Sequence, residues 1–343
     1  MITIKKEGVI LSKTAYDFEN KGVLNPAVYQ DGTTVHLFYR AVRQGNYSTV
    51  GYCRLEGPTT VVERSPTPIM IPEFDYEAHG IEDPRIVKID ELFYLSFTAY
   101  DGVNALGAVA TSSDLKNFTK LGFVVQQFTF IEFERLAKCN APLNEKYERF
   151  HLHNNIDNNP NKKLTLWDKN VVFFPEKING KFCFFHRIRP DIQLVMVENL
   201  TDLTPQFWED YYLNFSKHIV LSSKFDHEIS YIGAGCPPIK TEPGWLCIYH
   251  GVHDAASGYV YSACAALLDL ENPTIELARL PYPLFQPEED WELKGVVNNV
   301  VFPTGTALFD DTLYIYYGGA DKCIGCASLS LKALLSELSL YKL

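Results

Sequence analysis

Five stretches of this chain repeat one pattern: a turn rich in Asp, Asn or Gly, followed by an alternating aromatic and β-branched run that ends in a polar cluster. They are Asp31 to Arg40, Asp90 to Asp101, Asn179 to Arg187, Pro243 to Gly251 and Asp310 to Asp321. A similar hairpin strand returning at intervals of roughly 60 to 90 residues predicts radial β-repetition, a β-propeller with four strands per blade. If each blade presents the same strand to the axis, the strand ends Arg40, Asp101, Arg187, His250 and Asp321 gather around one mouth.

A chain of 343 residues is long enough for two ordinary domains, but closed all-β architectures reach this length as one unit. The repeats favour a single domain over 1–343. Hydrophobic content of 46%, with 13% aromatic, suffices for a large core, and no run approaches the ~18 apolar residues that span a bilayer. The expectation is a soluble protein with no membrane segment. Met1 to Gly8 lacks an apolar signal core, so the expected location is cytoplasmic. The eight cysteines sit mostly in apolar strand-like runs, as small hydrophobes rather than a disulfide framework. Cys323-Ile324-Gly325-Cys326 stands without a second Cys or His pair, a weak zinc signal, and no metal or cofactor is expected. A net charge of -11 argues against nucleic acid, which needs a basic field.

Strand patterns dominate to about residue 125. Residues from about 130 to 165 read as an insertion between repeats, with a short helical turn over Glu132 to Ala137 and an Asn-rich loop from His151 to Pro160. Thr204 before Pro205 predicts a capped helix. Apolar residues at helical spacing predict a C-terminal helix over about 330–341, packed on the strands.

Two constellations carry chemistry. In His79-Gly80-Ile81-Glu82-Asp83-Pro84-Arg85, Pro84 is expected to push Asp83 into an extended conformation, holding its carboxylate at a strand entrance as a general acid. A strand-capping charged turn is the plainer alternative. Neighbouring carboxylates raise and a guanidinium lowers such a pKa, and the residues alone do not decide between them. The second constellation is cationic: Lys169, Arg187 and His250. Basic groups ending aromatic strands need anionic partners, either phosphate or carboxylates such as Glu176 and Asp191.

Asn25-Pro26-Ala27, Tyr39-Arg40-Ala41-Val42-Arg43, Gly80 to Ile89, Phe174 to Lys181 with His186-Arg187, Ile232 to Ile239 with Gly244-Trp245, Tyr249-His250-Gly251 and Asn299 to Gly305 follow one another over nearly the whole chain. Together they resemble glycoside hydrolase family 130, the β-mannoside phosphorylases and related β-mannosidases. The resemblance implies an all-β, five-bladed propeller with an axial active site and inverting attack on a terminal β-mannoside. Asp83 matches the family's proton donor, which acts through a hydroxyl of the mannosyl unit. Lys169, Arg187 and His250 fall where the phosphorylases hold phosphate; Asn25, Arg40, Arg43, Glu82, Asp101 and Asp321 would line the mannosyl pocket. The implied partners are a β-mannoside oligosaccharide and inorganic phosphate as co-substrate, with homo-oligomerisation left open.

Two departures keep hydrolysis in view. Lys169 stands where some phosphorylases carry Arg, keeping the charge but losing the bidentate fork. Asp226-His227-Glu228 adds carboxylates, and Glu228 is a rival base for activating water across the ~6.5 to 9.5 Å of an inverting hydrolase. A propeller that binds glycans without cleaving them is the third reading. Acceptor choice is expected in rim loops at 44–48 and 130–165.

Overall fold

The computed structural model describes residues 2–154, 164–256 and 258–343, and they form an all-β protein with a few short helices. Hairpin tips explain much of the strand order. Asn179 and Gly180 both take positive φ (51° and 76°), as a two-residue turn matching the strand twist requires.

The strands group into five antiparallel units of four. From inner to outer, the first is Gly22–Asp31, Thr34–Arg43, Tyr47–Glu56 and Thr60–Arg64; the second is Gly80–Ile89, Leu92–Tyr100, Ala105–Ser112 and Thr119–Phe123. One parallel bridge, Ser48 to Gly80, joins these two into a continuous eight-stranded sheet. The third unit is Lys169–Phe173, Phe182–Arg187, Ile192–Val197 and Ile219–Leu221. The fourth is Tyr231–Ala234, Trp245–Ala255, Gly258–Leu268 and Glu276–Arg279, with the short Ile239–Lys240 also paired to its second strand. The fifth joins the two ends of the sequence: Val301–Phe309, Thr312–Gly319 and Cys323–Ser330 are completed by Lys5–Leu11.

Each pair of successive units shares a hydrophobic core. Phe38 of the first and Leu95 of the second belong to one cluster, as do Val109 and Phe184, Phe185 and Trp245, Ile248 and Ile315, and Tyr316 of the fifth with Leu37 of the first. Burying such a side chain contributes about 1.5 to 3 kcal/mol.

A second device repeats beside these cores. Asp-x-Glu stands just before the inner strand in four units, and each time the Glu is 0% exposed: Glu19, Glu77, Glu228 and Glu292. A cation from the outer strand pairs with it, Arg64 at 3.0 Å, Lys120 at 2.6 Å, Arg279 at 3.2 Å and Lys6 at 2.6 Å respectively. A tyrosine of the second strand donates to three of them: Tyr39 to Glu19, Tyr249 to Glu228 and Tyr317 to Glu292. In the second unit that strand position is Phe97, which has no donor, and Glu77 Oε1 is left without a partner. In the third unit it is His186, bonded through Nδ1 to Asp168. In those four units the clamp fastens the outer strand to the inner end.

The insertion forms two helices, Phe130–Ala137 and Lys146–Asn154. His151 to Asn154, expected as loop, is therefore helical; the remainder of that loop lies outside the described residues. Thr204 caps Pro205–Leu213 by accepting from Phe207 N, and Leu331–Leu338 packs Leu334 and Leu338 into the core between the fourth and fifth units. No helix among the described residues is long and apolar enough to cross a membrane.

Candidate active site

The inner strands of the first three units share an irregularity that builds the site. Each slips register at a bulge, between Leu24 and Ala27, Glu82 and Arg85, and Lys169 and Val172. The first residue inside each bulge has positive φ: Asn25 at 51°, Asp83 at 48° and Asn170 at 54°. Asp and Asn tolerate this left-handed region better than other side chains, and a bulge re-aims the side chain it carries. The extended conformation expected for Asp83 is thus corrected. Pro84 disfavours the right-handed helical region, and the bulge selects the left-handed one instead.

All three residues line a cavity of about 240 Å³, together with Arg40, Lys169, Arg187, Arg189 and Asp321. Its aromatic wall is Trp167, Tyr231, Tyr261 and Phe302. Asp83 accepts from Asn25 Nδ2 at 2.7 Å and lies 3.5 Å from Arg40 Nη1. Burial works to raise its pKa, but Arg40, Lys169, Arg85 and the Asn25 hydrogen bond hold it below the ordinary carboxylate value. Asp321 goes the other way. Burial, reinforced by Asp83 and Glu82 against the pull of Arg40, raises it to about 6.

Among the described residues, four cations and two carboxylates line the cavity, inside a chain of net charge -11. Arg40 is committed to Glu82 at 2.6 Å, and Lys169 stands 3.5 Å from the same carboxylate. Arg187 has only a neutral partner among its hydrogen bonds: Nη1 meets His250 Nε2 at 3.0 Å, while Nε has none. Burial, then the charge of Arg189, lowers Arg187 to about 10, and burial beside Arg187 and Arg85 keeps His250 neutral. The Arg189 guanidinium lies 5.1 Å from both the Phe150 and Tyr231 rings. Lys169, Arg187 and Arg189 also line an adjoining recess walled by Tyr147, Phe150 and His151, with no carboxylate among the described residues of its lining.

A family model described as beta-1,4-mannooligosaccharide phosphorylase matches residues 4–339. A 1,2-beta-oligomannan phosphorylase of Thermoanaerobacter sp. (strain X514) is 34% identical over 347 residues, covering 97% of this chain and 99% of that protein. The chain belongs to glycoside hydrolase family 130. A beta-1,2-mannobiose phosphorylase of the same strain is 34% identical over 328 residues, 91% of each chain. The solved structure of beta-1,2-mannobiose phosphorylase from Listeria innocua with beta-1,2-mannobiose aligns at a TM-score of 0.73 and 23% identity, covering 99% of this chain and 100% of that one.

Within this family 130 chain, the structure brings together Asn25, Arg40, Asp83, Lys169, Arg187 and Asp321, with Glu82 bridging Arg40 and Lys169 and His250 behind Arg187. Five expected residues do not line the cavity: Glu82 and His250, which contact side chains that do, and Arg43, Asp101 and Glu228. Arg43 is half-exposed, over Tyr47 and 3.9 Å from Asp17. Asp101 accepts from the backbone of Val103 and Asn104 at 2.8 and 2.7 Å, closing a turn. Glu228 is the fourth clamp: Oε1 accepts from Tyr249, and Oε2 accepts from Arg279 and from Lys224 N at 3.0 Å. The carboxylates offered as partners for the cations are occupied elsewhere, Glu176 by Lys240 and Asp191 by Tyr147.

Asn170, Arg189 and the aromatic wall escaped the sequence reading. Asn170 had a signal, since it follows Lys169 as Asp83 follows Glu82 at a matching strand start. Arg189 had none, being placed by the turn after Arg187. Among the described residues, the one group of ligand-type atoms close enough to share a metal is His227, Glu228 and Cys264, and Glu228 there is already satisfied by its clamp. Cys323 and Cys326 are buried thiols in one strand.

Proposed function

We propose that this chain is an inverting β-mannoside phosphorylase acting on β-1,2-linked mannosides. Phosphate attacks C1 of a terminal mannosyl unit on the face opposite the leaving oxygen. The new C1–O bond to phosphate forms as the glycosidic C1–O bond breaks, and a proton from Asp83, relayed by a mannosyl hydroxyl, reaches the leaving oxygen. The products are α-mannose 1-phosphate and a shortened acceptor. The two relatives at 34% identity bear β-1,2 names, and these support that linkage over the β-1,4 of the family description.

The observation that carries the reading is the clustering of Lys169 and Arg187 in a recess that adjoins the cavity lined by Asp83, with no carboxylate among the described residues of its lining. Asp83 is ionised in the free enzyme and must be protonated to act as the acid. A phosphate dianion beside Lys169 and Arg187 cancels part of the field that depresses Asp83, so nucleophile binding raises its pKa. Hydrolysis would need a base for water, and Glu228 has both oxygens engaged in its clamp, which weighs against that route.

The shared cores between each unit and the next, the fifth and first included, support a five-bladed propeller with this cavity at its axis. In this proposal 1–343 is one catalytic domain, with an insertion at about 130–165 that shapes the acceptor side. Eight unpaired thiols, seven of them buried, suit a reducing compartment and support a cytoplasmic location.

The test is incubation with β-1,2- and β-1,4-linked mannobiose, with and without phosphate. α-Mannose 1-phosphate should form only with phosphate, and faster from the β-1,2 substrate. Free mannose released at the same rate without phosphate would replace this reading with a mannosidase.

A further inference from the structure

The three bulges differ in how their second carbonyl is satisfied. Pro26 O accepts from the Thr304 hydroxyl at 2.7 Å, and Val171 O from the Ser96 hydroxyl at 2.5 Å; in each case a neutral group from the preceding unit suffices. Pro84 O instead accepts from Arg85 Nη1 at 2.9 Å, and the same nitrogen donates to Asp83 O at 3.0 Å. Arg85 Nε then crosses to Gly235 O of the fourth unit. At the corresponding bulge position the first and third units carry Ala27 and Val172, both 0% exposed and apolar. A guanidinium only 2% exposed therefore occurs solely in the bulge that carries the acid.

We infer that Arg85 is a positioning residue for the proposed phosphorolysis: it anchors the Asp83 bulge to the fourth unit, and its charge sets the protonation of the acid it positions. A hydroxyl satisfies the same carbonyl elsewhere, so satisfying it does not require a charge. Arg85 also stays charged, since burial lowers it only to about 10, with Asp83 opposing that shift. It acts on Asp83 after Arg40 from the first unit and Lys169 from the third, all three holding the carboxylate low. Asn25, Glu82, Arg187 and Asp321 complete the groups facing that carboxylate. Burying a cation without a carboxylate partner is costly, which fits a role beyond packing.

The inference rests on Asp83 being the acid, so it is read from the pH profile of kcat at saturating mannoside and phosphate. Turnover falls as pH rises through the pKa of the acid in the substrate complex. Removing a nearby cation raises that pKa, so Arg85→Gln should lower kcat at least tenfold and move the alkaline limb up by roughly one pH unit. Arg85→Lys keeps the charge and loses the fork; its limb should stay at the wild-type position while kcat falls several-fold. Thr304→Val removes a bulge donor without charge and should leave the limb alone. An unmoved limb in Arg85→Gln overturns the inference. Should that variant fail to fold, wild-type kcat in Arg85→Lys, or a limb displaced equally in Arg85→Lys and Thr304→Val, overturns it as well. Asp83→Asn, assayed alongside, separates the two claims: activity surviving there removes the acid itself. Activity lost there, with an unmoved limb in Arg85→Gln, removes only the role of Arg85.

Discussion

Glu82, near the start of an inner strand, and Glu228, just before one, are both buried carboxylates, 7% and 0% exposed, yet they are built differently. Glu228 belongs to a set of four, each with its own outer-strand cation, and its surroundings recur with small changes around Glu19, Glu77 and Glu292. Glu82 has no counterpart. The residues at its position in the first and third units are Leu24 and Lys169, and its partners Arg40 and Lys169 both line the cavity. Interior charge that recurs from unit to unit is scaffold. In the proposed reading, the charge around Glu82 that lines the cavity serves the chemistry, and the cations there are what a phosphate would neutralise.

Substitutions on the two sides of this contrast should separate turnover from stability. The largest effect is expected at Asp83→Asn, which should reduce kcat by roughly 10² to 10⁴ while leaving the thermal midpoint close to wild type. Near-normal turnover in the folded variant would remove Asp83 from the chemistry. Glu228→Gln should do the reverse. It removes the charge that faces Arg279 Nη1, while Glu276 still holds Nε and Nη2, and should cost roughly 1 to 3 kcal/mol in denaturant titration, with kcat per folded molecule little changed. Turnover abolished in a stable Glu228→Gln protein would make it a catalytic base.

Asp321 lies on the functional side and should destabilise the fold at neutral pH. Its native pKa, about 6, is above the unfolded value near 3.9, so its contribution is present below about pH 4 and lost as pH rises through about 6. Asp321→Asn should therefore flatten the stability profile over that interval and be more stable than wild type at pH 7, by roughly 2 to 3 kcal/mol. Equal pH dependence in the two proteins would show that Asp321 does not hold that proton. The smallest change completes the incomplete clamp: Phe97→Tyr places a hydroxyl toward Glu77 Oε1 and should add about 1 kcal/mol. A loss of stability would mean that the space beside Phe97 does not admit the oxygen.

The repeated strands were legible because alternation of apolar residues is local, and so were Arg40, Arg187 and Asp321 at the strand ends. The conformation of Asp83 was not, since the proline rule excludes one backbone region without choosing between the remaining two. Glu228 was misplaced for a related reason. Beside the Gly-Cys-Pro-Pro turn it reads as an extra acid, and only alignment with Asp17-Phe18-Glu19, Asp75-Tyr76-Glu77 and Asp290-Trp291-Glu292 shows it to be one of a series. That series was present in the sequence, but its partners Tyr249 and Arg279 lie 21 and 51 residues away, so no local window joins them. Arg189 and Trp167 enter the cavity through loop geometry, which no strand periodicity encodes.

The most direct measurement runs the reaction backwards, because a phosphorylase, unlike the rival inverting mannosidase, makes a glycosidic bond from a sugar phosphate. The protein is incubated with α-mannose 1-phosphate and mannose, and both inorganic phosphate and disaccharide are followed. The account predicts equimolar phosphate and β-1,2-mannobiose, with no reaction from β-mannose 1-phosphate. No disaccharide from the α-anomer, in a preparation that cleaves β-1,2-mannobiose without phosphate, would contradict it.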